Sequence, residues 1–140
     1  MIAYFDTSAI VPLLVEEPSS ERASLLWSEA DRVVTSRLLY VEGRAALAMA
    51  NRTGRLSRSA LQEAVAVLEQ LYDQMDTVET SDAIVRRAGS LAELHALRGN
   101  DAVHLASAET LARADGVLVA GDRSLCRAAT ALGMAVGPLT

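Results

Sequence analysis

A chain of 140 residues, 51% hydrophobic, with three prolines and a net charge of −5, fits one packed domain over residues 1–140 and excludes a disordered chain. All thirteen basic residues are arginine, which excludes P-loop NTPases, Schiff-base enzymes and any phosphoryl-transfer site built on a lysine ammonium. The absence of any membrane-length apolar run or basic leader, and of a partner for the lone Cys126, predicts a cytoplasmic protein with no membrane anchor.

Ile2 to Phe5 is a short apolar run that reads as a buried strand of a parallel sheet. Asp6 follows it, and Thr7 and Ser8 supply capping hydroxyls for a helix from Ser8 to about Val15. A second helix is expected from Pro18 to about Ala30, then a strand over Arg32–Thr35. Ser36 caps a longer helix through Leu39, Glu42, Ala46 and Met49 that stops near Gly54. Ser57 or Ser59 opens a fourth helix, Ser59 with Gln62 fitting a capping box. Asp76–Glu79 reads as an edge strand, and Ser81 caps a fifth helix that ends at Arg98-Gly99. Asn100 caps a sixth, from Asp101 to about Ala114. Val117–Ala120 is a buried strand, Ser124–Leu132 a seventh helix, and Met134–Val136 the closing strand. Strands alternating with helices predict an α/β fold of three layers: a short parallel sheet of four to five strands covered by about seven helices.

The carboxylates carry the chemistry. Asp6 and Asp122 each follow a strand, so both reach the C-terminal edge of the sheet, where open α/β folds bind ligands. Asp101 lies in the first turn of a helix, where an acid also serves the helix dipole. Glu42 sits in a mostly apolar helix, and a buried carboxylate is costly unless it is paired or coordinated; Arg37 and Arg44 are its sequence-local partners. Acids gathered in one pocket repel by about 4 kcal/mol per pair at 4 Å and an effective dielectric near 20. With no lysine to neutralise them, a hard divalent cation is the natural counter-ion, and two such ions would offset most of the net charge of −5.

Four stretches resemble the PIN-domain ribonucleases, specifically the VapC-type toxins of toxin–antitoxin pairs. They are FDTSAIVPL after Tyr4, Ser36 followed by Glu42, RGNDAVHLASA at Arg98–Ala108 and VLVAGDRSLCRAATALGMAV at Val117–Val136. The resemblance implies that Asp6, Glu42, Asp101 and Asp122 form an acidic Mg²⁺ site in which Mn²⁺ can substitute. It also implies an RNA substrate, a homodimer and a cognate VapB-type antitoxin. Ser8 and Asn100 are expected beside that site, with Arg98 and Arg123 facing the RNA backbone. Many relatives carry a hydroxyl residue where this chain has Ala120, two positions before the last acid.

Other residues read more plainly. His104, in AVHLA and three residues after Asp101 on the same helix face, reads as a core histidine, with a metal ligand or base as the alternative. Cys126 is expected in the core, His95 on the surface, Arg86-Arg87 on a solvated helix face, and Met49, Met75 and Met134 in packing. Trp27 reads as core, with a partner groove as the alternative, and Arg127 joins Arg98 and Arg123 as a phosphate contact. Two rival functions are a non-catalytic PIN-like binding module and a haloacid-dehalogenase-like phosphatase. The second needs an aspartate at Ser8 and a lysine, and has neither.

Overall fold

The computed structural model describes residues 1–139. Five strands, β1 (Ile2–Phe5), β2 (Arg32–Ser36), β3 (Asp76–Val78), β4 (Gly116–Ala120) and β5 (Ala135–Pro138), form one sheet in the order β3-β2-β1-β4-β5, every neighbouring pair parallel. The helices are α1 (Thr7–Leu14), α2 (Ser20–Glu29), α3 (Leu38–Arg52), α4 (Arg58–Gln74), α5 (Asp82–His95), α6 (Gly99–Glu109) and α7 (Arg123–Ala131). This is the expected layered α/β arrangement, with β1 at the centre.

Two apolar clusters lie on opposite faces of the sheet, and the period of two along each strand feeds them. Ala3, Phe5, Val117 and Val119 join Ile10, Leu26, Leu39, Leu47 and Leu68 on one side. Tyr4, Leu118 and Ala120 join Leu91, Leu105, Leu125 and Ala129 on the other. Phe5 meets the partly buried Trp27 edge-on with centroids 5.5 Å apart, so the tryptophan serves the core. Chain order reverses between β1 and β4, which opens a crevice at their C-terminal ends.

Several expected boundaries shift, each for a local reason. α4 is capped by Ser57, which accepts the Ala60 N–H, and the Ser59 capping box does not form. α5 stops at His95, short of Gly99, because Ala96 turns left-handed (φ 54°) and Leu97 N–H closes onto the Ala92 carbonyl, carrying Leu97 against the second cluster. α6 stops at Glu109, and a separate 3₁₀ turn covers Ala112–Ala114. β5 begins one residue late, at Ala135, and runs to Pro138. Met49 is 58% exposed and not a packing residue, unlike the buried Met75 and Met134. Arg87 pairs with Glu109 on α6, so it is not simply a solvated charge.

Candidate functional site

The end of β1 hands the chain directly to α1, and Asp6 is the cap. Its Oδ2 accepts the Ser8 N–H at 3.2 Å and the Ser8 hydroxyl at 2.6 Å, so the side chains of Thr7 and Ser8 do not cap as expected. Both hydroxyls are used elsewhere. Thr7 donates to Glu42 Oε1 at 2.9 Å, and Ser8 Oγ accepts the Gly121 N–H at 2.8 Å, tying the end of β1 to the turn after β4. Ser8 therefore supplies a hydroxyl at this junction, where Ala120 has none.

Asp122 caps α7, its Oδ1 accepting the Leu125 N–H at 3.0 Å, so that helix starts at Arg123 rather than Ser124. Asp101 sits in the first turn of α6, whose N-cap position is Arg98 and not Asn100, with no side-chain cap. The Asn100 amide has another use: it donates to Glu42 Oε2 at 2.7 Å. Arg98 Nε–H donates to Asp101 Oδ2 at 2.9 Å, and its Nη2 stands 3.8 Å from Asp122 Oδ2. Glu42, on α3, is not paired with Arg37 or Arg44. Arg37 holds Glu79, and Arg44 reaches Tyr40 and Glu69.

His104 takes a place that the core reading alone does not give it. It is fully buried, as expected of a core histidine, yet it belongs to the acidic cluster. Its Nε2 lies 2.6 Å from Glu42 Oε1 and 3.5 Å from Asp6 Oδ1, and its Nδ1 lies 2.8 Å from the Tyr4 hydroxyl. Its place one turn after Asp101, on a helix that buries seven of its eleven residues, is the basis of the metal-ligand or base alternative; the structure shows it bonded to Glu42 instead.

The charges influence one another. Burial pushes Asp101 up; the Arg98 bond pulls it back, and the charges of Asp122 and Asp6 raise it again. Burial also works against ionised Glu42, but the bonds from His104, Asn100 and Thr7 hold it down at about 2. For His104, burial opposes the cation, while Glu42, Asp6 and Asp101 outweigh that and raise it. A cavity of about 280 Å³ bordered by Arg98, Asp101, Asp122 and Ser124 opens beside the acids. Ser124 and Ala96 also border a hollow of about 410 Å³ lined by His95 and Arg127. His95 is accordingly half-buried and not a plain surface residue. Cys126 is also half-buried, its thiol pushed up by burial and by the charges of Asp122 and Asp6.

Among the described residues, no three His, Cys, Asp or Glu side chains stand close enough to make a finished metal cage. The donors at this edge are nonetheless carboxylate oxygens. Such a set fits a hard cation that keeps most of its water, as Mg²⁺ does when one or two carboxylates hold it.

Sequence comparison agrees with this architecture: the PIN-domain family model matches residues 3–131, and the chain belongs to that family. Over 137 residues it is 44% identical to Ribonuclease VapC45 of Mycobacterium tuberculosis (strain CDC 1551 / Oshkosh), covering 98% of this chain and 95% of that one. It is 34% identical to Ribonuclease VapC46 of M. tuberculosis (strain ATCC 25618 / H37Rv), covering 95% and 94%. Among solved structures, FitAB bound to an IR36 DNA fragment superposes with a TM-score of 0.72 at 18% identity, covering 99% of this chain and 95% of that one. VapC20 of M. tuberculosis, described as a Sarcin-Ricin loop cleaving toxin, gives 0.66 at 20% identity, covering 90% and 94%. These two likenesses are of fold. No helix among the described residues is long and apolar enough to cross a membrane.

Proposed function

We propose that this chain is a single-domain endoribonuclease toxin of a type II toxin–antitoxin pair, dependent on Mg²⁺ or Mn²⁺. It would act in the cytoplasm as a homodimer held inactive by a cognate VapB-type antitoxin. The relatives at 44% and 34% identity bear the name ribonuclease, which supports the activity. VapBC2 of Rickettsia felis, of like fold at a TM-score of 0.65, was solved bound to a promoter DNA fragment, which supports the pairing. The observation that carries the reading is the meeting of Asp6, Asp101 and Asp122 around one crevice edge, with Glu42 linked to the same network through His104.

In this reading Asp6, Asp101 and Asp122 hold the cation, and Glu42 completes or orients its surroundings. When bound, the cation supplies activation of water for attack on phosphorus and neutralises charge on the leaving oxygen. The chain's own residues do the rest. Ser8 fixes the Asp6 carboxylate, and Asn100 fixes Glu42 from the side opposite Thr7. Arg98, with a side chain 75% exposed, spans Asp101 and Asp122 and can turn to an incoming phosphate. Arg123, exposed at the start of α7, offers a second phosphate contact.

The test is cleavage of varied RNAs by the purified protein with Mg²⁺ or Mn²⁺. Cleavage that stops on chelation, and falls by about 10²-fold or more in Asp101→Asn, is the expected result. Inactivity with both metals on every RNA overturns the enzyme; absence of Mn²⁺ binding as well would favour a non-catalytic binding module.

A further inference from the structure

We propose that His104 is a positioning residue of the acidic site. Its Nε2–H holds Glu42 against Asp6, so a buried imidazole sets the spacing of carboxylates that come from separate elements. The nuclease reading says what the site does; this inference, which rests on it, says how the site is held.

The ring has no freedom of orientation. Nε2 faces Glu42 Oε1 at 2.6 Å and Asp6 Oδ1 at 3.5 Å, and ionised carboxylates only accept, so Nε2 carries a hydrogen. That hydrogen goes to Glu42, the nearer acid. Thr7 Oγ1, 3.3 Å from Nε2, spends its own hydrogen on the same Glu42 oxygen. Behind the ring, Nδ1 meets the Tyr4 hydroxyl at 2.8 Å, and Tyr4 is 1% exposed. A flip of the imidazole would take one of its three donors from Glu42 and part the buried Tyr4 hydroxyl from the ring nitrogen it meets.

Packing does not explain this residue. His104 is fully buried on a helix whose other buried residues include Ala102, Leu105, Ala106 and Ala108, and an aliphatic side chain would fill its volume and need no partner. A buried polar hub is rarely the most stable filling for a core, and it is kept where it fixes one arrangement. Here it joins the two layers: Glu42 comes from α3, on the Leu39–Leu68 side, and His104 from α6, on the Leu91–Leu125 side. Asp6 stands between them at the end of β1.

The test compares wild type, His104→Gln and His104→Leu by Mn²⁺ titration calorimetry and by steady-state kinetics on RNA. A glutamine amide reaches the place of Nε2 and restores a donor; leucine keeps volume alone. His104→Leu is expected to weaken Mn²⁺ binding by about 10-fold or more and to lower kcat by about 10–100-fold with KM nearly unchanged. His104→Gln should recover most of both. Equal Mn²⁺ affinity and kcat in His104→Leu and wild type overturn the proposal, and so does a glutamine variant no better than leucine. Should His104→Leu fail to fold, Tyr4→Phe frees the back of the ring without touching either acid. It is expected to weaken Mn²⁺ binding, and no change in it counts against the proposal. A wild type whose Mn²⁺ binding is weakened by His104→Leu but which cuts no RNA would sink the nuclease reading alone. One that cuts RNA regardless of His104 would sink this inference alone.

Discussion

Glu42 receives three donors on two oxygens, from Thr7, Asn100 and His104, and this crowding gives it a measurable acid signature. Burial opposes its charge, but the bonds from His104, Asn100 and Thr7 win and hold it at about 2, below the ordinary 4.5. The unfolded chain therefore takes up this proton first. The stability that Glu42 contributes is complete above about pH 4.5 and is lost as the pH falls towards 2. His104 works in the opposite sense. Burial is outweighed by Glu42, Asp6 and Asp101, so its contribution is complete below the ordinary 6.5 and is lost as the pH rises through its raised value. Glu42→Gln should flatten the fall in Tm between pH 4.5 and pH 2, followed by circular dichroism; a slope like that of wild type contradicts the assignment.

At the scale of elements, the sequence made the strands and most helices legible because apolar periodicity and serine caps are local signals. β1 falls on Ile2–Phe5 as read, and Ser57 and Ser81 accept the expected N–H groups. What it did not disclose was how polar side chains divide their bonds between helix ends and distant partners. Asn100 has the chemistry of a cap but bonds to Glu42, and Asp6, read as a ligand, is also the cap of α1. The sequence-local partners of Glu42 failed for the same reason: Arg37 and Arg44 point to Glu79 and Glu69, across the fold. β4 is the element on which Asp122 depends, and its first residue has no room. A Cβ on Gly116 would stand 2.7 Å from Leu111 Cβ and 2.9 Å from the Leu111 carbonyl oxygen, which itself bonds to the Gly116 N–H. Gly116→Ala should cost about 1–3 kcal/mol in denaturant unfolding. A variant as stable as wild type would mean that the turn before β4 yields more easily than its contacts suggest.

Across the whole molecule, the site lies where two apolar layers meet over the C-terminal end of a parallel sheet. Asp6 follows the central strand, Asp122 follows its neighbour, and α3 and α6 bring Glu42 and Asp101 from opposite faces. The fold thus brings like charges together, and Arg98 is the cation that faces Asp101 and Asp122 in the protein alone. A divalent ion shared by these acids should stabilise the native state, because the unfolded chain keeps no such grouping. The most direct measurement is Tm with and without Mn²⁺, in wild type, Asp6→Asn and Asp101→Asn. At about 100 times its Kd the ion contributes about 2.7 kcal/mol, which predicts a rise of roughly 5–10 °C in wild type and little or none in either variant. A wild type that does not respond, or variants that respond as it does, would contradict a common cation site.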